Sequence, residues 1–146
     1  MTDVVAPCSG RIVPIEKISD PVFSAQMLGP GVGIAPEASE MTVVAPIAGR
    51  VVKAMPHAFV VMAGSVGVLT HLGIDTVQLQ GEGFTVLADE GKAVQAGDPM
   101  VRWRPGAVAA RGIDPTVIVV AMDRPAGSVE VLAEGPVVEG DLLFRV

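Results

Sequence analysis

The chain has 146 residues, a length typical of one domain that buries a core without disulfides or a structural metal. Its net charge of -6, its lack of a lysine and arginine cluster and its aromatic content of 3% argue against nucleic acid as a partner. The N-terminus lacks the positive patch and apolar run of a secretory signal, and there is a single cysteine, so we expect a cytoplasmic protein with residues 1–146 forming one domain.

Short runs rich in valine and isoleucine, separated by 17 glycines and 12 prolines, predict many short strands. In chain order, the predicted strands are residues 11–15, 43–45, 50–53, 59–62, 67–71, 76–79, 84–87, 100–103, 116–121 and 142–146. A helix of one or two turns is predicted at residues 106–111. The pattern favours an all-β fold, an antiparallel sandwich or barrel with short helical turns.

Two internal repeats run through this series of strands. Residues 4–13 (VVAPCSGRIV) and 43–52 (VVAPIAGRVV) are offset by 39 positions and identical at seven of ten. Residues 90–102 (EGKAVQAGDPMVR) and 134–145 (EGPVVEGDLLFR) align after one deletion. A duplicated strand, turn and strand unit explains both repeats.

Residues 54–74 contain no charged side chain over a length that could span a bilayer. Proline and glycine interrupt this stretch, so it predicts two buried strands joined by a turn near Gly64. With a loop of three residues, 63–65, the strands pair in a register that places His57 directly opposite His71 on one face. Cβ atoms of such pairs lie about 5 Å apart, close enough for both rings to hold one shared group.

Three interpretations of the histidine pair remain open. In the first, both rings are ordinary core or surface histidines. In the second, they bind zinc with Asp75 as a third ligand, although the helical metalloprotease pattern is absent. In the third, one neutral imidazole takes up a phosphoryl group as a nucleophile and the other supports it. Residues 29–33 lack the Lys and Ser/Thr of a nucleotide-binding loop, so the group would come from another protein rather than from ATP.

A specific combination of motifs surrounds the two histidines. It consists of PHAF at 56–59, GVLTHLGIDTVQL at 67–79 and GEGF at 81–84, and similarity continues through DPVF at 20–23 and GD at 140–141. The combination resembles the glucose-type enzyme IIA (EIIA) of the bacterial phosphoenolpyruvate:sugar phosphotransferase system, over nearly the whole chain.

The resemblance implies that His71 accepts a phosphoryl group from the carrier protein HPr and delivers it to a cysteine of a sugar-specific EIIB domain. His57 would stabilise the phosphoryl group. The protein would then be a phosphotransferase component of sugar transport that meets the membrane only through the EIIC permease, and its fold would be an antiparallel β-sandwich built from a duplicated motif. The implied partner-binding residues are Val22, Phe23, Phe59, Leu72 and the acidic Asp75.

The sequence departs from this family at Met55, where many members have a threonine that orients the first histidine. A backbone carbonyl is the alternative partner for the His57 ring. We expect no cofactor bound by the chain alone, but a partner carboxylate joining His57 and His71 would create an intermolecular zinc site. The alternative function is a regulatory binding module, whose phosphorylation state controls metabolic enzymes or transporters.

Overall fold

The computed structural model describes all residues from 1 to 146 and is built mainly of short strands. The strands are β1 Asp3–Val5, β2 Gly10–Pro14, β3 Gly31–Pro36, β4 Met41–Val44, β5 Gly49–Met55, β6 Ala58–Ala63, β7 Val66–Leu72, β8 Thr85–Val86, β9 Ala93–Val94, β10 Pro99–Trp103, β11 Val117–Ala121, β12 Glu130–Val131, β13 Pro136–Val137 and β14 Leu142–Arg145. The helical segments are α1 Pro21–Ser24, α2 Pro105–Ala110 and the 3₁₀ turns Ile15–Lys17 and Thr76–Leu79. No helix has the length and apolar character that a membrane crossing requires.

All strand pairs are antiparallel and form one large and two small sheets. The large sheet has the order β13-β2-β3-β11-β7-β6-β5-β9, and the small sheets have the orders β1-β14-β12 and β4-β10-β8. One face of the large sheet packs with the small sheets around a main core, which contains Trp103 and Phe144. Its other face carries a second, smaller apolar cluster. The large sheet does not close on itself, so the sandwich alternative is confirmed and the barrel alternative is wrong.

The structure confirms the duplication read from the sequence. The copies of the first repeat form β1 with β2 and β4 with β5, and the copies of the second form β9 with β10 and β13 with β14. The strands pair in matching ways: β1 with β14 as β4 with β10, and β2 with β13 as β5 with β9. Hydrogen bonds also match, since the Val5 N–H donates to the Pro46 carbonyl and the Val44 N–H to the Pro7 carbonyl, both at 3.0 Å.

Most predicted strands are present, but the one at residues 76–79 is absent, and five strands, β1, β3, β9, β12 and β13, were not predicted. Residues 76–79 form a 3₁₀ turn rather than a strand, because Asp75 and Gln80 at its ends adopt left-handed φ angles of 61° and 53°. Strand β3 was missed because its two glycines lower the strand signal. Glycine is required there, since a Cβ at Gly31 would overlap the carbonyl oxygen of Val119 on β11.

The predicted register of the β6–β7 hairpin is wrong by one residue. The loop has two residues and begins at Gly64, whose φ of 60° suits the first position of a tight hairpin turn. His71 therefore pairs with Ala58, and Phe59 pairs with Thr70. Because a shift of one residue turns every side chain to the opposite face, Phe59 points into the main core and away from His71.

Candidate functional site around His57 and His71

Strand β7 places His71 on the face of the large sheet that lies opposite the main core. Its neighbours across the sheet are Ala58 on β6 and Ile118 on β11, which are both buried members of the second apolar cluster. The His71 ring is itself partly buried. The His71 imidazole thus lies over buried apolar side chains and remains partly exposed to solvent.

One hydrogen bond fixes the orientation of the His71 ring. Its Nδ1 lies 2.6 Å from the carbonyl oxygen of Gly73. Because a carbonyl only accepts hydrogen bonds, Nδ1 carries the proton of the neutral ring. The unshared electron pair is then on Nε2, the nitrogen on the other side of the ring.

The turn after β7 holds the Gly73 carbonyl in place. Gly73 has a φ of 81°, and its N–H donates to the Thr116 carbonyl at 3.0 Å. The buried Thr76 hydroxyl donates to the Leu72 carbonyl at 2.6 Å. A Cβ on residue 73 would lie 2.5 Å from Thr76 Cγ2, so only glycine fits this turn without displacing its neighbours.

His57 meets His71 although the predicted register is wrong. It lies in the turn between β5 and β6, outside the strands. The rule that successive side chains of a strand point to opposite faces of the sheet therefore does not apply to it. The two ring centroids are 5.2 Å apart with an interplanar angle of 77°, an edge-to-face arrangement. The backbone carbonyl of His57 also accepts a hydrogen bond from the Leu72 N–H at 2.7 Å, which ties the turn to β7.

The His57 ring makes no hydrogen bond within the chain. The backbone carbonyl expected in place of the threonine hydroxyl is therefore not found. Met55, at the position of that threonine, is 39% exposed at the end of β5. A ring nitrogen of His57 thus stays available to a group bound beside His71.

Helix α1 brings an aromatic side chain against the His71 ring. Asp20 caps this helix by accepting a hydrogen bond from the Val22 N–H at 2.8 Å, and Pro21 occupies its first turn. The Phe23 ring lies 5.2 Å from the His71 ring at an angle of 61°. The His71 ring therefore contacts both an aromatic side chain and a second imidazole.

The residues expected to dock partners fall into two groups. Val22 is 40% exposed beside the site, and Asp75 is exposed in the turn after His71. Phe59 and Leu72 are 1% and 0% exposed in the main core, so the expectation that they form a docking surface is wrong. Phe59 was misplaced because the register error turned its side chain toward the wrong face, whereas Leu72 follows His71 on β7 and points to the opposite face in either register.

Two further apolar residues at this surface were missed in the sequence. Val77, which follows Asp75 by two residues, is 59% exposed, and Met55 is also exposed. Val77 was not recognised as a surface residue because residues 76–79 were predicted to form a strand, in which an apolar residue is expected to be buried. Phe23, which does contact His71, is only 6% exposed.

Burial keeps both imidazoles neutral. It lowers the pKa of His71 and of His57 below the ordinary value, and the nearby His57 lowers that of His71 further. The hydrogen bond to Gly73 and the carboxylates of Asp20 and Asp75 oppose this effect at His71 but do not overcome it. The site thus contains two uncharged imidazoles at neutral pH.

We expect both histidines to titrate below their ordinary pKa of about 6.5. Between that value and the lower pKa of the folded state, the unfolded chain binds more protons than the folded one, so the free energy of unfolding decreases as the pH falls. An NMR titration of the two rings, together with urea unfolding across this range, would measure both effects. A ring that titrates at or above its ordinary pKa would contradict the role of burial.

The other reactive groups of the chain offer no rival site. Cys8 is 2% exposed, and burial with the nearby Glu139 raises the pKa of its thiol to about 12, so it stays protonated. No three histidine, cysteine, aspartate or glutamate side chains come together as a metal site would require. His57 and His71 supply two nitrogens, and a tetrahedral zinc ion needs four ligands.

Comparison with known proteins identifies the family of the chain. Residues 2–126 match the family described as phosphoenolpyruvate-dependent sugar phosphotransferase system, EIIA 1. The chain is 41% identical over 143 residues to the glucose-specific EIIA component of Staphylococcus aureus (strain COL), covering 94% of this chain and 84% of that protein. It is 42% identical over 106 residues to the mannose-specific EIIBCA component of Corynebacterium glutamicum, covering 70% of this chain and 15% of that larger protein.

The fold agrees as well. The structure is similar to glucose permease IIA from Mycoplasma capricolum, with a TM-score of 0.88 and 33% sequence identity, over 97% of this chain and 93% of that one. The family model and the similar fold thus identify the same kind of protein. The chain belongs to the EIIA 1 family of the phosphoenolpyruvate-dependent sugar phosphotransferase system and is a phosphocarrier of that system.

Proposed function

We propose that Nε2 of His71 accepts the phosphoryl group from phosphorylated HPr and passes it to the cysteine of a sugar-specific EIIB domain. The observation that carries this proposal is the 2.6 Å hydrogen bond from Nδ1 to the Gly73 carbonyl, which leaves the electron pair on Nε2. In the first step, that pair forms a new N–P bond while the N–P bond in HPr breaks. In the second, the cysteine thiolate forms an S–P bond while the bond to His71 breaks.

His57 is proposed to stabilise the phosphoryl group on His71 while it is passed on to EIIB. Phosphoryl transfer is promoted by hydrogen-bond donors placed around the oxygens of the transferred group. The His57 ring is 5.2 Å from the His71 ring and has no hydrogen-bond partner within the chain. Its N–H is therefore free to donate to a phosphoryl oxygen on His71.

The surface around His71 suits brief contacts with other proteins. We propose that Val22 and Asp75 contact HPr and EIIB, with Val77 extending this surface and Phe23 packed beneath it against His71. Exposed apolar side chains supply contact area, and acidic ones favour a basic partner. The contacts would bring the chain to the cytoplasmic side of a membrane only through the EIIC permease, with residues 1–146 acting as one domain.

The experiment is a phosphorylation assay with an intact-mass readout. The full chain is incubated with phosphoenolpyruvate, enzyme I and HPr, and we expect the mass of one phosphoryl group to be added. The group should be lost in acid, as a phosphohistidine requires, and peptide mapping should place it at His71. Failure of phosphoryl uptake, or uptake at another residue, would overturn the proposal.

A regulatory role would use the same surface. A phosphoryl group on His71 adds negative charge beside Val22 and Asp75, so a partner that docks there would distinguish the two states. Capture of metabolic enzymes or transporters by the unphosphorylated chain alone would support this role. A partner carboxylate reaching His57 and His71 would also complete a zinc site that this chain cannot complete by itself.

A further inference from the structure

We propose that Asp114 is a positioning residue for phosphoryl transfer, because its carboxylate joins the two segments that hold the His71 ring. One segment is the turn that contains Gly73, and the other is the loop that leads into α1 and Phe23. The proposal rests on the proposed role of His71. It concerns a residue that lies outside the motifs around the histidines and does not touch the reacting nitrogen.

The first connection runs along the start of β11. Oδ1 of Asp114 accepts hydrogen bonds from the N–H of Thr116 at 2.9 Å and from its hydroxyl at 2.6 Å. The backbone carbonyl of Asp114 accepts from the Ile74 N–H at 2.9 Å. Asp114 therefore fixes both its own segment and the turn that follows His71.

Thr116 connects Asp114 to the His71 ring through hydrogen bonds. Its carbonyl accepts the Gly73 N–H at 3.0 Å, and the Gly73 carbonyl accepts the proton on Nδ1 of His71 at 2.6 Å. Two residues thus separate the Asp114 carboxylate from the imidazole. The Nδ1–H tautomer, which leaves Nε2 free to react, depends on where that carbonyl is held.

The second connection reaches α1. Oδ2 of Asp114 accepts a hydrogen bond from the Ser19 hydroxyl at 3.2 Å, across 95 positions of the chain. The next residue, Asp20, caps the helix that places Phe23 against the His71 ring. One carboxylate therefore restrains both the carbonyl that orients the ring and the aromatic side chain that packs on it.

Two other aspartates serve as matched controls. Asp98 accepts a hydrogen bond from the Gln95 N–H, and Asp141 from the Val138 N–H, each at 2.8 Å. Both are turn contacts across three positions of the chain, in the equivalent turns of the second repeat. Neither has a side-chain bond to a distant segment.

The test compares Asp114→Ala with Asp141→Ala in the full chain. Three quantities are measured: the ¹⁵N chemical shifts of the His71 ring, the rate of phosphoryl uptake from phospho-HPr and the urea midpoint. We expect Asp114→Ala to shift the His71 nitrogens toward a mixture of tautomers and to slow uptake about tenfold, as a misplaced reacting group does. Asp141→Ala should lower the urea midpoint while leaving the nitrogen shifts and the uptake rate unchanged.

Wild-type nitrogen shifts and uptake in a folded Asp114→Ala variant would overturn the proposal, as would equal slowing by Asp141→Ala.

If Asp114→Ala does not fold, Ser19→Ala takes its place, because Ser19 is exposed and its hydroxyl makes only this bond. Ser19→Ala should move the Phe23 ring resonances and slow uptake by about twofold, and no change in either would refute the link to α1. The nitrogen shifts are read without phosphorylation, so they test Asp114 even if His71 proves not to be the acceptor.

Discussion

Replacing His71 with alanine should abolish phosphoryl uptake from phospho-HPr. The variant loses Nε2 of His71, which has a free electron pair and belongs to a ring that lies over the second apolar cluster. Loss of a nucleophile that forms the covalent intermediate is a complete loss rather than a slowing, because no bond to phosphorus can form. Intact-mass measurement after incubation with phosphoenolpyruvate, enzyme I and HPr would show an unmodified chain.

The control experiment tests whether His71→Ala still folds. The ring of His71 is only partly buried, so its removal leaves the main core intact, and we expect a circular dichroism spectrum like that of the wild type. His57→Ala, assayed beside it, should still take up one phosphoryl group. A folded His71→Ala chain that gains an acid-labile phosphoryl group would place the acceptor elsewhere.

Replacing His57 with alanine should separate the two steps of the reaction. Uptake on Nε2 of His71 should continue, since the Gly73 hydrogen bond that orients the ring is untouched. Transfer to EIIB should fall by about 10² to 10³, the loss found when one donor to a developing negative charge is removed. Rapid-quench measurement of phosphoryl transfer from the loaded variant to an EIIB domain gives this rate directly.

A second substitution at the same position tests whether His57 acts by donating a hydrogen bond. His57→Gln keeps a side-chain N–H near the phosphoryl oxygens, so its transfer rate should lie between those of the wild type and His57→Ala. Transfer at the wild-type rate by His57→Ala would refute the stabilising role. Equal rates for the glutamine and alanine variants would also count against hydrogen-bond donation.

The sequence was informative where residues repeat and where chemistry depends on a few side chains. The repeats at 4–13 and 43–52 predicted a duplication that the strand pairing confirms. The two histidines were correctly predicted to lie together, although for a partly wrong reason. His57 reaches His71 from a turn, where no alternation of faces applies, and so the pairing survived an error in register.

Other features depend on contacts that sequence patterns do not record. Gly64 signals a turn but does not say whether the loop has two or three residues, and that difference turned Phe59 into the core. Strand β3 contains glycines because β11 approaches closely, and Val119 lies more than eighty positions away in the chain. The link between Asp114 and Ser19 likewise joins distant segments through single side chains.

The ends of the large sheet bear on how the protein behaves at high concentration. An open sheet exposes two edges on which a second copy could add strands and begin aggregation. Here both edges are strands of only two residues, β9 and β13, and β13 begins with Pro136, which has no N–H to donate. A carrier that must bind and release partners repeatedly thus exposes little backbone on which copies of itself could assemble.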